Sequence, residues 1–153
     1  MVNLQTISPD DGKYGSASQE LLPYLSAEAE WRQFAQIQRA LLATRVRLGQ
    51  AEPKHLRELE EAVQKFDPQS ADGFERDRSI AHDQLAVLEE LGRHMSQETK
   101  ALLHPGTTSY DIVDTARSYL FRQSWNNVLR PKIVDVIEKL CVISEEYAGI
   151  LQV

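Results

Sequence analysis

The amino-acid sequence predicts an all-α fold, and three observations carry that prediction. Apolar residues recur at spacings of three, four and seven over most of the chain. The polar breaks between those stretches hold helix start and stop residues, among them Ser26, Gly49 and Pro53. No run alternates apolar and polar residues with the period of two that a half-buried strand requires, and neither an internal repeat nor a low-complexity tract is present.

Taken in order, Ser8-Pro9-Asp10-Asp11-Gly12-Lys13-Tyr14-Gly15 is dense in turn formers and is expected to be irregular. Ser26 is a fitting N-cap, with Glu28 and Glu30 in the first turn where the helix dipole favours negative charge. Trp31, Phe34, Ile37, Leu41 and Leu48 then form an apolar stripe, widened by Leu42 and Val46, until Gly49 ends the helix. Pro53 opens a second helix carrying Leu56, Leu59, Val63 and Phe66 on one side. Residues 68–73 read as a loop. A third helix is expected from about Phe74 to Met95, with Ile80, Leu85, Leu88 and Leu91 as its apolar contacts. A helical turn around Glu98 to Leu103 runs into His104-Pro105-Gly106, which must break it.

From Thr108 onward the pattern is helical for roughly 44 residues, or roughly 65 Å at about 1.5 Å per residue. Pro131 is expected to kink or divide that stretch near Arg130. Beyond it, Ile133, Ile137, Leu140, Ser144, Tyr147 and Leu151 alternate spacings of four and three, flanked by Val134, Cys141 and Ala148. So wide a stripe predicts the interior of a helical bundle. The chain stops directly after Ile150-Leu151-Gln152-Val153, with neither a C-cap glycine nor a polar tail, and a truncation is expected there.

Bulk properties narrow the function classes. Apolar residues make up 42% and charged residues 26% of 153 residues, the balance of a folded domain rather than a disordered one. The net charge of −6 and the absence of any Lys/Arg-rich run argue against nucleic acid or an anionic membrane surface as partner. A small anionic ligand needs only a few local donors and stays open. No stretch approaches the roughly 20 apolar residues of a membrane span, and no signal peptide opens the chain. The single Cys141 cannot form an internal disulfide, lies in an apolar helical pattern and is expected to be buried, which fits a cytoplasmic location.

The segment richest in chemistry is His104-Pro105-Gly106-Thr107-Thr108-Ser109-Tyr110-Asp111-Ile112-Val113-Asp114-Thr115-Ala116. Thr108 and Asp111 have the spacing of a capping box, and Gly106 permits a tight turn before it. The unpaired amides of such a helix start lie beside the Thr108 and Ser109 hydroxyls, a seat suited to a carboxylate or phosphate. Taken alone, the same residues need do no more than cap a helix. Other constellations fail. Ala71 and Asp72 stand where a calcium loop spanning Asp67 to Asp77 needs an oxygen ligand and a glycine. His55, His82, His94, His104 and Cys141 give no zinc spacing. Neither a phosphate-binding glycine loop nor a nucleophile elbow occurs.

The pattern His-x-Gly-x-Thr-Ser-x-Asp-x-x-Asp-Thr-Ala is similar to the first shared region of the fumarase/aspartase superfamily, in the form carried by the adenylosuccinate lyase family. Ser8-Pro9-Asp10-Asp11-Gly12-Lys13-Tyr14 resembles that family's opening Ser-Pro-x-Asp-Gly-Arg-Tyr, and His82-Asp83, expected inside a helix, resembles its His-Asp pair. The likeness covers nearly all of this chain and about the opening third of such an enzyme. It implies a small helical first domain, residues 1–103, followed by the start of a central helical bundle, residues 104–153. It implies a homotetramer whose sites draw on three subunits, and no cofactor or metal.

Position by position, the resemblance puts Lys13 and Tyr14 on the nucleotide part of a substrate, and Ala81, His82 and Asp83 in the lining of the site. Thr108 and Ser109 fall where the succinyl or fumarate carboxylate is held, with His104 and Asp111 nearby. Lys13 replaces an arginine and loses its planar two-point grip on phosphate. Pro105 and Thr107 replace an aromatic and an aliphatic residue.

The reaction implied is a β-elimination releasing fumarate with AMP, or with a related carboxamide nucleotide. It passes through a carbanion-like intermediate whose growing negative charge needs preorganised donors. The family's general acid lies in a Thr-His-x-Gln stretch and its base is a serine on a glycine-rich loop; neither motif occurs in this chain. The Thr-Ser turn is shared with carboxymuconate cycloisomerases and argininosuccinate lyases, while the Asp-Gly-Lys-Tyr opening and the His-Asp pair favour the nucleotide-handling branch. Outside that class, the alternatives are a helical interaction module without catalysis and a small-molecule-binding fragment.

Overall fold

Among the described residues every regular element is helical, and most of the helices start at an identifiable cap. The computed structural model describes residues 3–76 and 80–151, and no strand occurs among the described residues. Helix α1 spans Asp11–Tyr14 and α2 spans Leu22–Leu25, joined by the 3-10 turns Gly15–Ala17 and Gln19–Leu21. The turn-rich opening is therefore more ordered than its composition predicts. The Asp11 carboxylate accepts the amides of Ile7 at 2.6 Å and Ser8 at 3.2 Å, folding the chain back on itself.

Helix α3 spans Ala27–Arg47 and is capped by the Ser26 hydroxyl, which accepts the Ala29 amide at 3.2 Å. It ends in a Schellman turn: Gly49 N–H reaches the Val46 carbonyl and Gln50 N–H the Arg45 carbonyl, with Gly49 at φ +71. Helix α4, Pro53–Lys65, opens with Pro53 at its first position behind a capping box of Glu52 and His55.

The expected loop at 68–73 is a correction. Helix α5 spans Pro68–Arg76, because Asp67 Oδ1 accepts the Gln69 amide at 3.0 Å and Pro68 is preset for a first helical position. The single helix expected from about Phe74 to Met95 is a second correction. Helix α6 spans Asp83–Gly92, preceded by Ile80 in a turn and Ala81 at φ +41. Residues 77–79 of that expected helix lie outside the described residues. On α6 the apolar residues that reach the interior are Ala86, Val87 and Leu91, whereas Leu85 is exposed; Leu48 of the α3 stripe is exposed as well.

Helix α7, Gln97–Lys100, is capped by Ser96. Helix α8 spans Ser109–Ser124, and a π-helical turn over Trp125–Leu129 joins it to α9, Arg130–Glu146. Pro131 has no N–H to continue the α-helical ladder, and Arg130 N–H bonds back to the Trp125 carbonyl across the wider π loop. The expected division near Arg130 is thus realised as a π turn.

Helix α3 is the spine. It packs against α2, α4, α5, α6 and α8, and its Trp31 meets Phe34 edge-to-face at 5.8 Å. The core joins Trp31, Phe34, Ala35 and Leu42 of α3 to Leu59 and Ala62 of α4, Ala86, Val87 and Leu91 of α6, and Ile112, Val113 and Ala116 of α8. Helix α8 therefore shares the core of the preceding helices. Helix α9 does not: it buries none of its residues, and Ile133, Ile137, Leu140 and Ile143 are all exposed. Cys141 is exposed too, contrary to the buried thiol expected, because nothing among the described residues covers the stripe it belongs to. No helix is long and apolar enough to cross a membrane among the described residues.

Candidate functional site

The site builds from the turn that launches α8. His104 and Gly106 both take left-handed backbone conformations, at φ +69 and +75. A histidine there carries a steric cost that glycine does not, and the surrounding bonds hold it. Thr107 donates both its amide, at 3.0 Å, and its hydroxyl, at 2.7 Å, to the His104 carbonyl. The Arg45 guanidinium donates to the Pro105 carbonyl, tying the turn to the end of α3. Thr108 and Asp111 form the expected capping box, with the Thr108 amide donating to Asp111 Oδ2 at 2.8 Å. One turn further in, Ile112, Val113 and Ala116 anchor the helix in the core.

A second helix start arrives beside it. His82 is extended, at φ −154 and ψ 122, and is the N-cap of α6: its Nδ1 accepts the Leu85 amide at 3.4 Å. That corrects the expectation that His82 lies inside a helix. Its other ring nitrogen, Nε2, lies 3.0 Å from Ser109 Oγ, so residues 27 apart in sequence meet across the two helix starts. Ala81, next to His82 in sequence, at φ +41 and His104 at φ +69 are the two non-glycine residues with positive φ among the described residues. Thr108 is exposed and Ser109 half-buried; the Thr108 side chain accepts the Asp111 amide, and Ser109 Oγ is engaged with His82.

Electrostatics around the pair are acidic on one side. Asp83 Oδ1 lies 3.4 Å from His82 Nδ1 and accepts the Gln84 amide at 2.6 Å. Glu75, in the last turn of α5, has its carboxyl held above the usual carboxylate range by burial and then by the Asp83 and Asp72 carboxylates; Arg76 and His82 oppose that rise. Glu75 was no sequence candidate, and its spacing gave no signal that would mark it.

The order Ser109–His82–Asp83 superficially matches a hydrolase triad. A triad needs Nδ1–H directed at the carboxylate; here Nδ1 lies 3.4 Å from both the Leu85 amide nitrogen and Asp83 Oδ1, and that oxygen also accepts the Gln84 amide.

Lys13 and Tyr14 lie on the first helix. Both are exposed on α1, where the Lys13 ammonium sits 4.9 Å from the centre of the Tyr14 ring, and α1 packs on the following 3-10 turn. No hydrogen bond or ion pair among the described residues joins them to the His82–Ser109 pair. A cleft of about 230 Å³ opens beside Thr107, with Ile37, Leu41 and Ile112 as apolar walls and Thr107, Asp111 and Thr115 as polar ones.

Fold and site together define an all-α protein in which two helix starts are joined by a serine–histidine hydrogen bond. The chain is similar to the adenylosuccinate lyase of Methanothermobacter thermautotrophicus, being 36% identical over 72 residues, which are 47% of this chain and 16% of that enzyme. The match thus spans about a sixth of the relative's length, and it supports a lyase-related origin. No family model matches the chain, and no solved structure matches it.

Proposed function

We propose that this chain is the N-terminal portion of a carbon–nitrogen lyase that cleaves adenylosuccinate, and the related succinyl-carboxamide nucleotide, by β-elimination. Fumarate leaves with AMP or with the carboxamide nucleotide. One observation carries the reading: the Ser109–His82 contact at 3.0 Å joins, in space, the two motifs that the sequence resemblance joins only by order. The partial similarity to an adenylosuccinate lyase supports the same direction.

In this reading the Thr108 and Ser109 hydroxyls, with the first-turn amides of α8, hold the carboxylate next to the carbon that loses its proton. They act most strongly as charge builds there, so the donors lower the barrier and not merely the ground state. His82, Asp83 and Ala81 line the neighbouring wall. Lys13 and Tyr14 take the nucleotide, brought to the site in the assembled enzyme. The groups that move the protons are not among these residues, and neither His82 nor His104 takes that part. The assembled enzyme is a cytoplasmic homotetramer, and the bare apolar face of α9 supports burial in a shared bundle.

The test is fumarate release followed by absorbance. The 153-residue chain is expected to release none, and a protein extended by the rest of its reading frame to release it readily. In that extended protein, replacing Thr108 and Ser109 together by alanine is expected to lower kcat/KM by roughly 100-fold, the effect of two hydrogen bonds to a charged group. Turnover by the chain alone, or an unchanged kcat/KM in the double variant, overturns the assignment.

A further inference from the structure

We propose that His82 is locked as the Nε2–H tautomer by its own helix cap and is a positioning residue for Ser109, turning the serine hydroxyl proton outward to a ligand carboxylate. The carboxylate is taken from the lyase reading above; the tautomer stands on geometry alone.

A neutral imidazole has one N–H and one lone pair, so the partner of one nitrogen fixes the task of the other. Leu85 N–H, in the first turn of α6, points at Nδ1 from 3.4 Å. An amide only donates, so Nδ1 presents its lone pair and the proton sits on Nε2. Nε2 then donates to Ser109 Oγ at 3.0 Å. The rival arrangement puts the proton on Nδ1 and directs it to Asp83 Oδ1, 3.4 Å away. That leaves the Leu85 amide without its cap and crowds an oxygen that already accepts Gln84 N–H at 2.6 Å.

The two tautomers give opposite chemistry at Ser109. With Nδ1–H, the serine proton is drawn to Nε2 and the oxygen becomes a nucleophile. With Nε2–H, the serine oxygen accepts from His82 and its own proton is free to donate. It then joins the first-turn amides of Ser109 and Tyr110 in α8 as one more donor toward an anion. His82 does its work through Ser109 and not by touching the reacting atoms.

Long-range proton–nitrogen NMR on the 15N-labelled chain, at a pH where the ring is neutral, reads the tautomer. Nδ1 of His82 is expected at an unprotonated, pyridine-like shift and Nε2 at a protonated, pyrrole-like one. Ser109→Ala is expected to move the Nε2 signal and leave Nδ1 in place. His82→Ala is expected to speed hydrogen exchange at the Leu85 amide by roughly fivefold, the effect of a lost N-cap, while His82→Asn, whose amide oxygen caps equally well, keeps it near the parent rate. A protonated Nδ1, an unchanged Leu85 exchange rate in His82→Ala, or labelling of Ser109 by a fluorophosphonate overturns the proposal. None of these signals depends on fumarate release, so a failed lyase assay and a failed tautomer assignment are told apart.

Discussion

One substitution made at two places tests the architecture that holds the site. Ile112 is fully buried, one turn into α8 behind Thr108 and Ser109, while Ile137 on α9 is 53% exposed. Ile112→Ala removes three buried carbons, worth about 0.8 kcal/mol each, or about 2.4 kcal/mol in all. The cavity left behind adds about 1 kcal/mol, giving a loss of roughly 3 to 4 kcal/mol. At about 2 to 4 °C per kcal/mol for a chain of this size, the melting midpoint is expected to fall by roughly 6 to 16 °C. The same change at Ile137 removes little buried surface and exchanges a β-branched residue for the best helix former, so its effect is expected within about 0.5 kcal/mol. Urea unfolding followed by circular dichroism measures both on the 153-residue chain. Equal losses at the two positions would refute the reasoning, since α8 could not then be the helix seated in the core and α9 the one left bare.

Two further outcomes follow from the same structure. Glu58 has its pKa lowered to about 2, chiefly by the Ser96 hydroxyl and then by the Thr99 hydroxyl and the Ser96 amide. A depressed folded-state value means this contribution is complete above the ordinary value of 4.5 and is lost as pH falls toward about 2. Urea midpoints across that window are expected to drop less in Glu58→Gln than in the parent; parallel profiles would contradict the assigned bonds. Cys141 is exposed, so a thiol reagent is expected to label the native chain as fast as the unfolded one, and protection would show that the α9 face is covered in solution.

Where the sequence succeeded, the controlling interaction lay within a few residues. Ser26 caps three residues ahead, Gly49 closes α3 onto Val46 and Arg45, and Thr108 and Asp111 close on each other. Such caps pair groups that the chain itself holds close, so spacing reveals them. The same locality hid one boundary. His82 capping α6 is as local as the others, yet histidine is an uncommon cap, and the apolar spacing from Phe74 to Met95 reads as unbroken helix. Asp67 and Pro68 likewise start a helix in a segment whose glycine and polar residues suggest a loop.

By itself, the sequence determined the helical class, most helix starts and stops, and the hydroxyl-rich opening of α8, because hydrogen bonds across one turn and the 3.6-residue period are written in adjacent positions. Only the tertiary structure decided that His82 meets Ser109, and that Leu85 faces water while Val87 faces the core. Those outcomes depend on how α3, α6 and α8 pack side by side. Contacts between distant segments follow from the shape of buried surfaces, which no local spacing encodes.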